Sequence, residues 1–310
     1  MITEGLVSEL IKIAAPERVK RDELLSGHCS FRTGGPADLF VQVCTEEELV
    51  KTLELLEASD VDVFLLGRGT NLLIGDKGFR GAVVTMCAPS GTKSDLCNVK
   101  IDGSRLRAGA GASLLKIAMA ARDAALAGFE FAAGIPGSLG GAVMMNAGAY
   151  GGEMKDVVRS VRIFYQGSGI RELSGEEMKF GYRTSRLKQE RGIVLSAEME
   201  LEPGDSRKVT ERITELAQKR MGKQPLEYAS AGSTFKRPEG YFAGKLIQDA
   251  GLMGFSVGDA QVSEKHAGFV INRGNASAAQ IRELIEEVQR VVLEDSGVQL
   301  EREVIFLGEF

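Results

Sequence analysis

Leu49, Val50, Leu53 and Leu56 recur at the spacing of one helical face, and Thr45-x-x-Glu48 ahead of them has the form of a capping box. The spacing predicts a helix there. Short apolar runs at 61–66, 81–86 and 105–110 predict strands, and the Ala-rich stretch 113–127 predicts a helix. Strand patterns return at 157–165 and 193–201, and Pro203-Gly204-Asp205 then breaks the chain. A helix is expected over 206–221, with Val209, Ile213, Leu216 and Ala217 on one face. The clearest helical period is Ile281, Leu284, Ile285, Val288, Val291 and Val292, between Ser277 and about Asp295, with Gly297 suited to its C-terminal cap. Residues 298–307 read as a closing strand, with Glu301, Glu303, Ile305 and Leu307 on one face. These elements predict two domains, 1–204 (lobes of about 1–85 and 86–204) and 205–310.

Composition narrows the function classes. The net charge of −5 gives no overall attraction to nucleic acid or to an anionic membrane, so neither is expected as a partner. No basic leader or bilayer-length apolar run appears, and a cytoplasmic protein is expected. Four cysteines without zinc or disulfide spacing, and only two histidines, lead us to expect no metal.

The glycines are concentrated. Residues 134–152 hold seven glycines and no charged side chain, yet include Ile135, Leu139, Val143, Met144 and Met145. That mixture predicts an ordered, buried loop and short helix where backbone approaches something closely. Gly67-Arg68-Gly69-Thr70-Asn71, after a strand, and Gly137-Ser138-Leu139-Gly140-Gly141 could each turn several N–H groups toward a diphosphate. Neither loop is a Rossmann fingerprint or a P-loop, and tight structural turns are the alternative. The occurrence of two such loops favours a dinucleotide.

The motifs themselves are more specific. Ser30-Phe31-Arg32-Thr33-Gly34-Gly35-Pro36-Ala37-Asp38, the run from Leu65 to Gly81 and the run from Gly134 to Glu153 resemble the FAD-binding signatures of UDP-N-acetylenolpyruvoylglucosamine reductases. Phe180–Ser185, Ala231–Pro238 and Leu300–Val304 resemble that family's active-site motifs, in the same order. The resemblance spans about residues 28–308. It implies an α+β protein: a two-lobed FAD-binding domain of the vanillyl-alcohol-oxidase type, then an α+β substrate domain. It also implies FAD contacts at Arg32, Thr33, Gly67, Arg68, Gly69, Thr70, Asn71, Leu72, Gly137, Ser138, Gly140, Gly141 and Asn146. NADPH is implied as hydride donor and UDP-N-acetylenolpyruvoylglucosamine as acceptor.

Arg183, Ser233 and Glu303 are the implied catalytic residues. Hydride delivered to the CH2 carbon of an enol ether leaves negative charge on the neighbouring carbon and its carboxylate. An arginine can hold that carboxylate with two parallel hydrogen bonds, and an aligned serine can protonate the carbon. Glu303 could bond the carboxylate or polarise the transition state. Without the resemblance, Arg183 reads as a solvated charge, Ser233 as a turn residue and Glu303 as part of a salt-bridged edge strand.

Substrate contacts are implied at Tyr182, Lys223, Gly232, Lys236 and Arg237; Lys245 and Lys265 read better as surface lysines. The chain resembles the type without an extra tyrosine-bearing loop, and carries Arg302 where many members have proline. The alternatives are an FAD-dependent oxidase of the same fold, or a flavin or UDP-sugar sensor that no longer turns over.

Overall fold

A computed structural model describes residues 2–88 and 91–310. Met1, Pro89 and Ser90, which fall within the expected first domain, lie outside the described residues. The chain divides into two compact units. The first comprises Met1–Lys20, Phe40–Gly67 and Val83–Lys219; the second comprises Arg21–Leu39, Arg68–Ala82 and Arg220–Phe310. A four-stranded sheet runs in the order Val19–Leu24, Pro36–Gln42, Phe79–Thr85, Val63–Leu66.

The first unit is built on a five-stranded antiparallel sheet ordered Gly169–Ser174, Val158–Tyr165, Gly192–Glu200, Arg105–Gly109, Val99–Asp102. Helix Leu114–Asp123 and the short helix Leu139–Met145 contribute Leu114, Ile117, Leu139 and Val143 to its core, all fully buried. Each such side chain contributes about 1.5–3 kcal/mol relative to exposure. The Ala-rich helix is shorter than its sequence suggests. Ala125 takes a positive φ of 53°, and Leu126–Ala127 then pairs antiparallel with Glu202–Pro203. That pairing buries Leu126, which a continued helix would have had to place elsewhere. The segment 134–152 is ordered and half buried, with Gly141 and Met144 exposed. Strand Gly169–Ser174 had no apolar alternation to announce it, because it is an exposed sheet edge.

Helix Glu46–Ala58 begins as expected, with the Thr45 hydroxyl accepting from the Glu48 N–H. The reciprocal half of the box does not form. Glu48 instead accepts the Cys44 N–H at 2.7 Å and both guanidinium nitrogens of Arg18, which offer a stronger, charged fork. The buried face is Leu49, Thr52, Leu53 and Leu56, with Val50 only half buried.

In the second unit, a three-stranded antiparallel sheet (Ser256–Val257, Ala260–Val262, Val270–Asn272) packs on helix Ala278–Ser296. Ser277 and Gln280 form a complete capping box there, and Gly297 ends the helix at φ 72°. Asp76 reinforces the start by accepting the Ala278 and Ala279 N–H groups. Ile281, Leu284, Ile285, Val288 and Val292 are buried as the period requires. Helix Ser206–Lys223 buries only Val209 and Leu216, leaving Ala217 exposed.

The expected strand 298–307 is mostly not a strand. Only Ile305–Leu307 forms a strand, in parallel with Leu72–Ile74, while Arg302 makes an isolated antiparallel bridge with Phe235. Burial falls on Val304 and Leu307, three apart, while Ile305 is exposed, so the alternation read from the sequence does not hold.

Candidate active site

In the first unit, Gly67, Ser138, Gly140 and Gly141 line one cavity of about 120 Å³. The remaining lining is apolar, including Leu66, Met144 and Leu187, and it contains no charged side chain. Such a volume is below the roughly 300–1,000 Å³ of a complete small-molecule site, so by itself it could hold only part of a ligand of nucleotide size. A Cβ on Gly67 would meet the Ser138 Oγ at 2.7 Å, and one on Gly141 at 3.7 Å. Both glycines therefore keep the space around this hydroxyl open. Ser138 is buried and occupies the N-cap position of its helix, yet its hydroxyl makes no capping bond. Neutral lining, side-chain-free backbone and an unused hydroxyl fit a flavin nucleotide. Gly137 stands beside the cavity, its carbonyl accepting the Leu114 N–H.

Asn146 is buried in the left-handed conformation that ends the same helix. Its Nδ2 donates to Glu153 and to the Gly181 carbonyl, and its Oδ1 accepts the Lys155 N–H. The side chain thus ties the glycine-rich segment to the turn carrying Tyr182 and Arg183. Arg183 also has a positive φ, 53°, and its guanidinium lies over the half-exposed Tyr182 ring at 5.4 Å. Hydrogen-bonded Lys155 holds the Glu153 carboxyl below its ordinary range, with smaller help from Asn146 and the Arg183 charge.

In the second unit, Arg32 sits at φ 56° next to buried Thr33. The carbonyl of buried Phe31 is held by the Asn272 side chain. His28 bonds Glu23, and the buried Cys29 thiol donates to the Thr33 carbonyl, so both have structural partners. Burial raises the Cys29 pKa. Gly69, at φ 61°, must be glycine: a Cβ there would lie 2.1 Å from the His28 carbonyl oxygen. The loop continues through Thr70 to Asn71, whose side chain donates to the Glu303 carbonyl at 3.0 Å, while Leu72 begins the strand paired with Ile305.

Thr234 ties the segment that follows Ser233 to the segment carrying Glu303. Its carbonyl accepts the Glu303 N–H at 2.9 Å, its N–H donates to the Gly268 carbonyl, and its buried hydroxyl accepts the Val270 N–H. Ser233 follows Gly232, which turns the chain at φ 79°, and forms a β-bridge with Phe269. Arg183 belongs to the first unit, Ser233 and Glu303 to the second.

The predicted basic residues differ in their partners. Lys236 is ion-paired with Glu301. Arg237 stacks over exposed Phe242 at 3.9 Å and donates to the Tyr241 carbonyl. Lys223 carries a charge felt by His266. Lys245 pairs with Asp249, and Lys265 donates to the Met221 carbonyl. Arg68 is placed in the first glycine loop, at the start of the second unit's segment 68–82.

Thr234, His266, Asn272 and Asp76 were not singled out from the sequence. Thr234, Asn272 and Asp76 work on backbone groups distant in the chain, which only a three-dimensional structure pairs, whereas His266 holds the Gly268 N–H two residues on.

The model of an FAD binding domain matches residues 37–174. That of the UDP-N-acetylenolpyruvoylglucosamine reductase C-terminal domain matches 224–307. A variant of Phl p 4 described as a glucose oxidase, 17% identical with a TM-score of 0.50 over 64% of this chain and 44% of its own, shares the fold alone. The matched FAD-binding model and the fold define the chain's class as an FAD-binding flavoprotein. A UDP-N-acetylenolpyruvoylglucosamine reductase from Caldanaerobacter subterraneus subsp. tengcongensis is 48% identical, over 99% of this chain and 100% of its own. The crystal structure of a UDP-N-acetylenolpyruvylglucosamine reductase from Thermus caldophilus is 36% identical, with a TM-score of 0.78 over 94% of this chain and 99% of that one. The chain belongs to the UDP-N-acetylenolpyruvoylglucosamine reductase family.

Proposed function

We propose that the protein reduces UDP-N-acetylenolpyruvoylglucosamine to UDP-N-acetylmuramate at the expense of NADPH, as a UDP-N-acetylmuramate dehydrogenase of peptidoglycan precursor synthesis. The supporting observation is the backbone bond from the Glu303 N–H to the carbonyl of Thr234, the residue next to Ser233, with the Glu303 carbonyl held by the Asn71 side chain.

Bound FAD supplies the two-electron carrier between NADPH and the enolpyruvyl CH2 carbon. Gly67, Ser138, Gly140 and Gly141 receive part of it without a charged side chain, and Arg32, Thr33 and the loop Arg68–Leu72 are the further contacts that the family motifs imply. Arg183 grips the substrate carboxylate, on which negative charge grows as the carbon is reduced. Ser233 gives its hydroxyl proton to that neighbouring carbon and is reprotonated from water. Glu303 acts at the same group, either donating a hydrogen bond to the substrate carboxylate as the carboxylic acid or polarising the transition state. Tyr182, Lys223, Gly232, Lys236 and Arg237 hold the UDP-sugar. The reaction belongs in the cytoplasm, where NADPH and nucleotide-activated sugars are available.

The test is anaerobic. Protein reduced by NADPH is mixed with UDP-N-acetylenolpyruvoylglucosamine, and recovery of oxidised-flavin absorbance is expected at once. Recovery with oxygen but not with this substrate would indicate an oxidase. Binding of the UDP-sugar with no NADPH consumption would indicate a sensor.

A further inference from the structure

His266 lies outside every motif that brought Ser233 and Glu303 to attention. Its Nδ1 is 3.1 Å from the Gly268 N. A backbone N–H can only donate, so Nδ1 must carry a lone pair and the ring proton must sit on Nε2. The Gly268 carbonyl accepts the Thr234 N–H at 2.9 Å, and Phe269, the next residue, is bridged to Ser233. The ring also meets Phe269 edge-on at 4.9 Å. Buried Ser263 fixes the turn from the other side, accepting the Lys265 and His266 N–H groups.

We propose that His266 is a positioning residue for Ser233: its neutral Nδ1 anchors the Gly268 amide, and Gly268 and Phe269 in turn fix the backbone that aims the serine hydroxyl. The proposal rests on Ser233 being the proton donor. Adding a proton to Nδ1 would set donor against donor, release Gly268 and loosen the strand beside Ser233.

The surroundings favour the neutral ring. Burial pushes the His266 pKa below its ordinary value; a backbone hydrogen bond opposes it in part, and the Lys223 charge adds a smaller push in the same direction as burial. Helix Ala243–Asp249 turns Gly244 to the ring, 3.6 Å from Cε1 to a Cβ built there, and so presents no charge at that point. Glu264 and Lys265 flank His266 in the chain, and Lys265 is engaged with the Met221 carbonyl and Glu227. The anchor is therefore intact at neutral pH and is lost as pH falls through the lowered pKa.

Two substitutions separate the anchor from the ring. His266→Phe keeps an aromatic ring without an acceptor, and His266→Asn keeps an acceptor oxygen near the Nδ1 position. In the holoenzyme, the Phe variant should reoxidise reduced flavin with UDP-N-acetylenolpyruvoylglucosamine ~10–100-fold more slowly, as a misplaced catalytic group does. Its flavin reduction by NADPH should be unchanged. The Asn variant should recover most of the rate and lack the acid limb expected of the wild type. Hydrogen exchange at the Gly268 amide should be faster in the Phe variant alone. A wild-type reoxidation rate in the Phe variant, or an Asn variant that falls as far as Phe or keeps the acid limb, would overturn the proposal. Ser233→Ala is the separate control. If it too reoxidises at the wild-type rate, the serine reading fails; if it alone is slow, only the His266 anchor fails. Should the Phe variant not fold, ring 15N shifts of the wild type decide: a proton on Nδ1 at neutral pH overturns the proposal, and one on Nε2 supports it.

Discussion

Three side chains carry the expected chemistry, and each depends on a backbone arrangement around it. Arg183 occupies a left-handed conformation that costs a non-glycine residue of order 1 kcal/mol, with its turn tied to Asn146 through the Gly181 carbonyl. Replacing it by lysine keeps the charge but removes the two-pronged grip on a carboxylate. A loss of about 1.5–3 kcal/mol, or ~10–100-fold in kcat/KM, is expected. If kcat/KM stays within twofold, Arg183 acts only as a charge. Ser233→Ala should leave flavin reduction by NADPH intact and slow reoxidation by substrate by ~10²–10⁴-fold, measured in a single turnover. His266 adds a stability effect whose sign follows from its lowered pKa. The unfolded chain binds this proton more readily, so the contribution is fully present above the ordinary histidine pKa and is lost as pH falls from there through the lowered folded value. His266→Asn should flatten that part of the unfolding midpoint's pH dependence.

Elements were legible where one residue's chemistry decided an end. Thr45, Ser113 and Ser277 each accept the N–H three residues on, and Gly297 closes the last long helix. Removing the Asp76 carboxylate, which caps that helix from a distant loop, should cost about 1 kcal/mol or somewhat more. The Asp76→Ala midpoint should fall by several degrees, and an unchanged midpoint would show that water replaces the cap.

The segment around Glu303 was illegible as an element because its partners lie on opposite sides of it: Thr234 and Lys236 by antiparallel bonds, Leu72–Ile74 by a parallel ladder. A single alternating pattern cannot serve both. The same bonds account for the departure at position 302. In the Phe235–Arg302 bridge, the hydrogen bonds run from Lys236 N to Glu301 O and from Glu303 N to Thr234 O, so neither uses the Arg302 N–H. Proline fits there without loss of a donor. Arg302→Pro should retain full turnover and lose only the stacking of the guanidinium on Phe306, about 0.5–1 kcal/mol by thermal unfolding.

For the whole molecule, the motifs disclosed the family, the cofactor and the order of the segments. They did not disclose that the second unit is assembled from three stretches of chain, since nothing in local spacing reports a partner two hundred positions away. Residues 205–310 expressed alone would lack Asp76 at the long helix, Leu72–Ile74 beside Ile305–Leu307, and the Phe31 carbonyl beneath Asn272. That fragment is expected to show no cooperative thermal transition. A sharp transition would mean that these three contacts are dispensable.

Asn71 and Glu303, joined by a single hydrogen bond, are separated by 232 residues of chain. A ribosome adding roughly 5–20 residues per second therefore makes the first glycine loop ~10–50 s before the strand that completes it. Throughout that interval Leu72–Ile74 lacks its partner strand Ile305–Leu307, and the Asn71 side chain lacks the Glu303 carbonyl. Closure of this part of the second unit is thereby deferred until the chain has been read almost to residue 307.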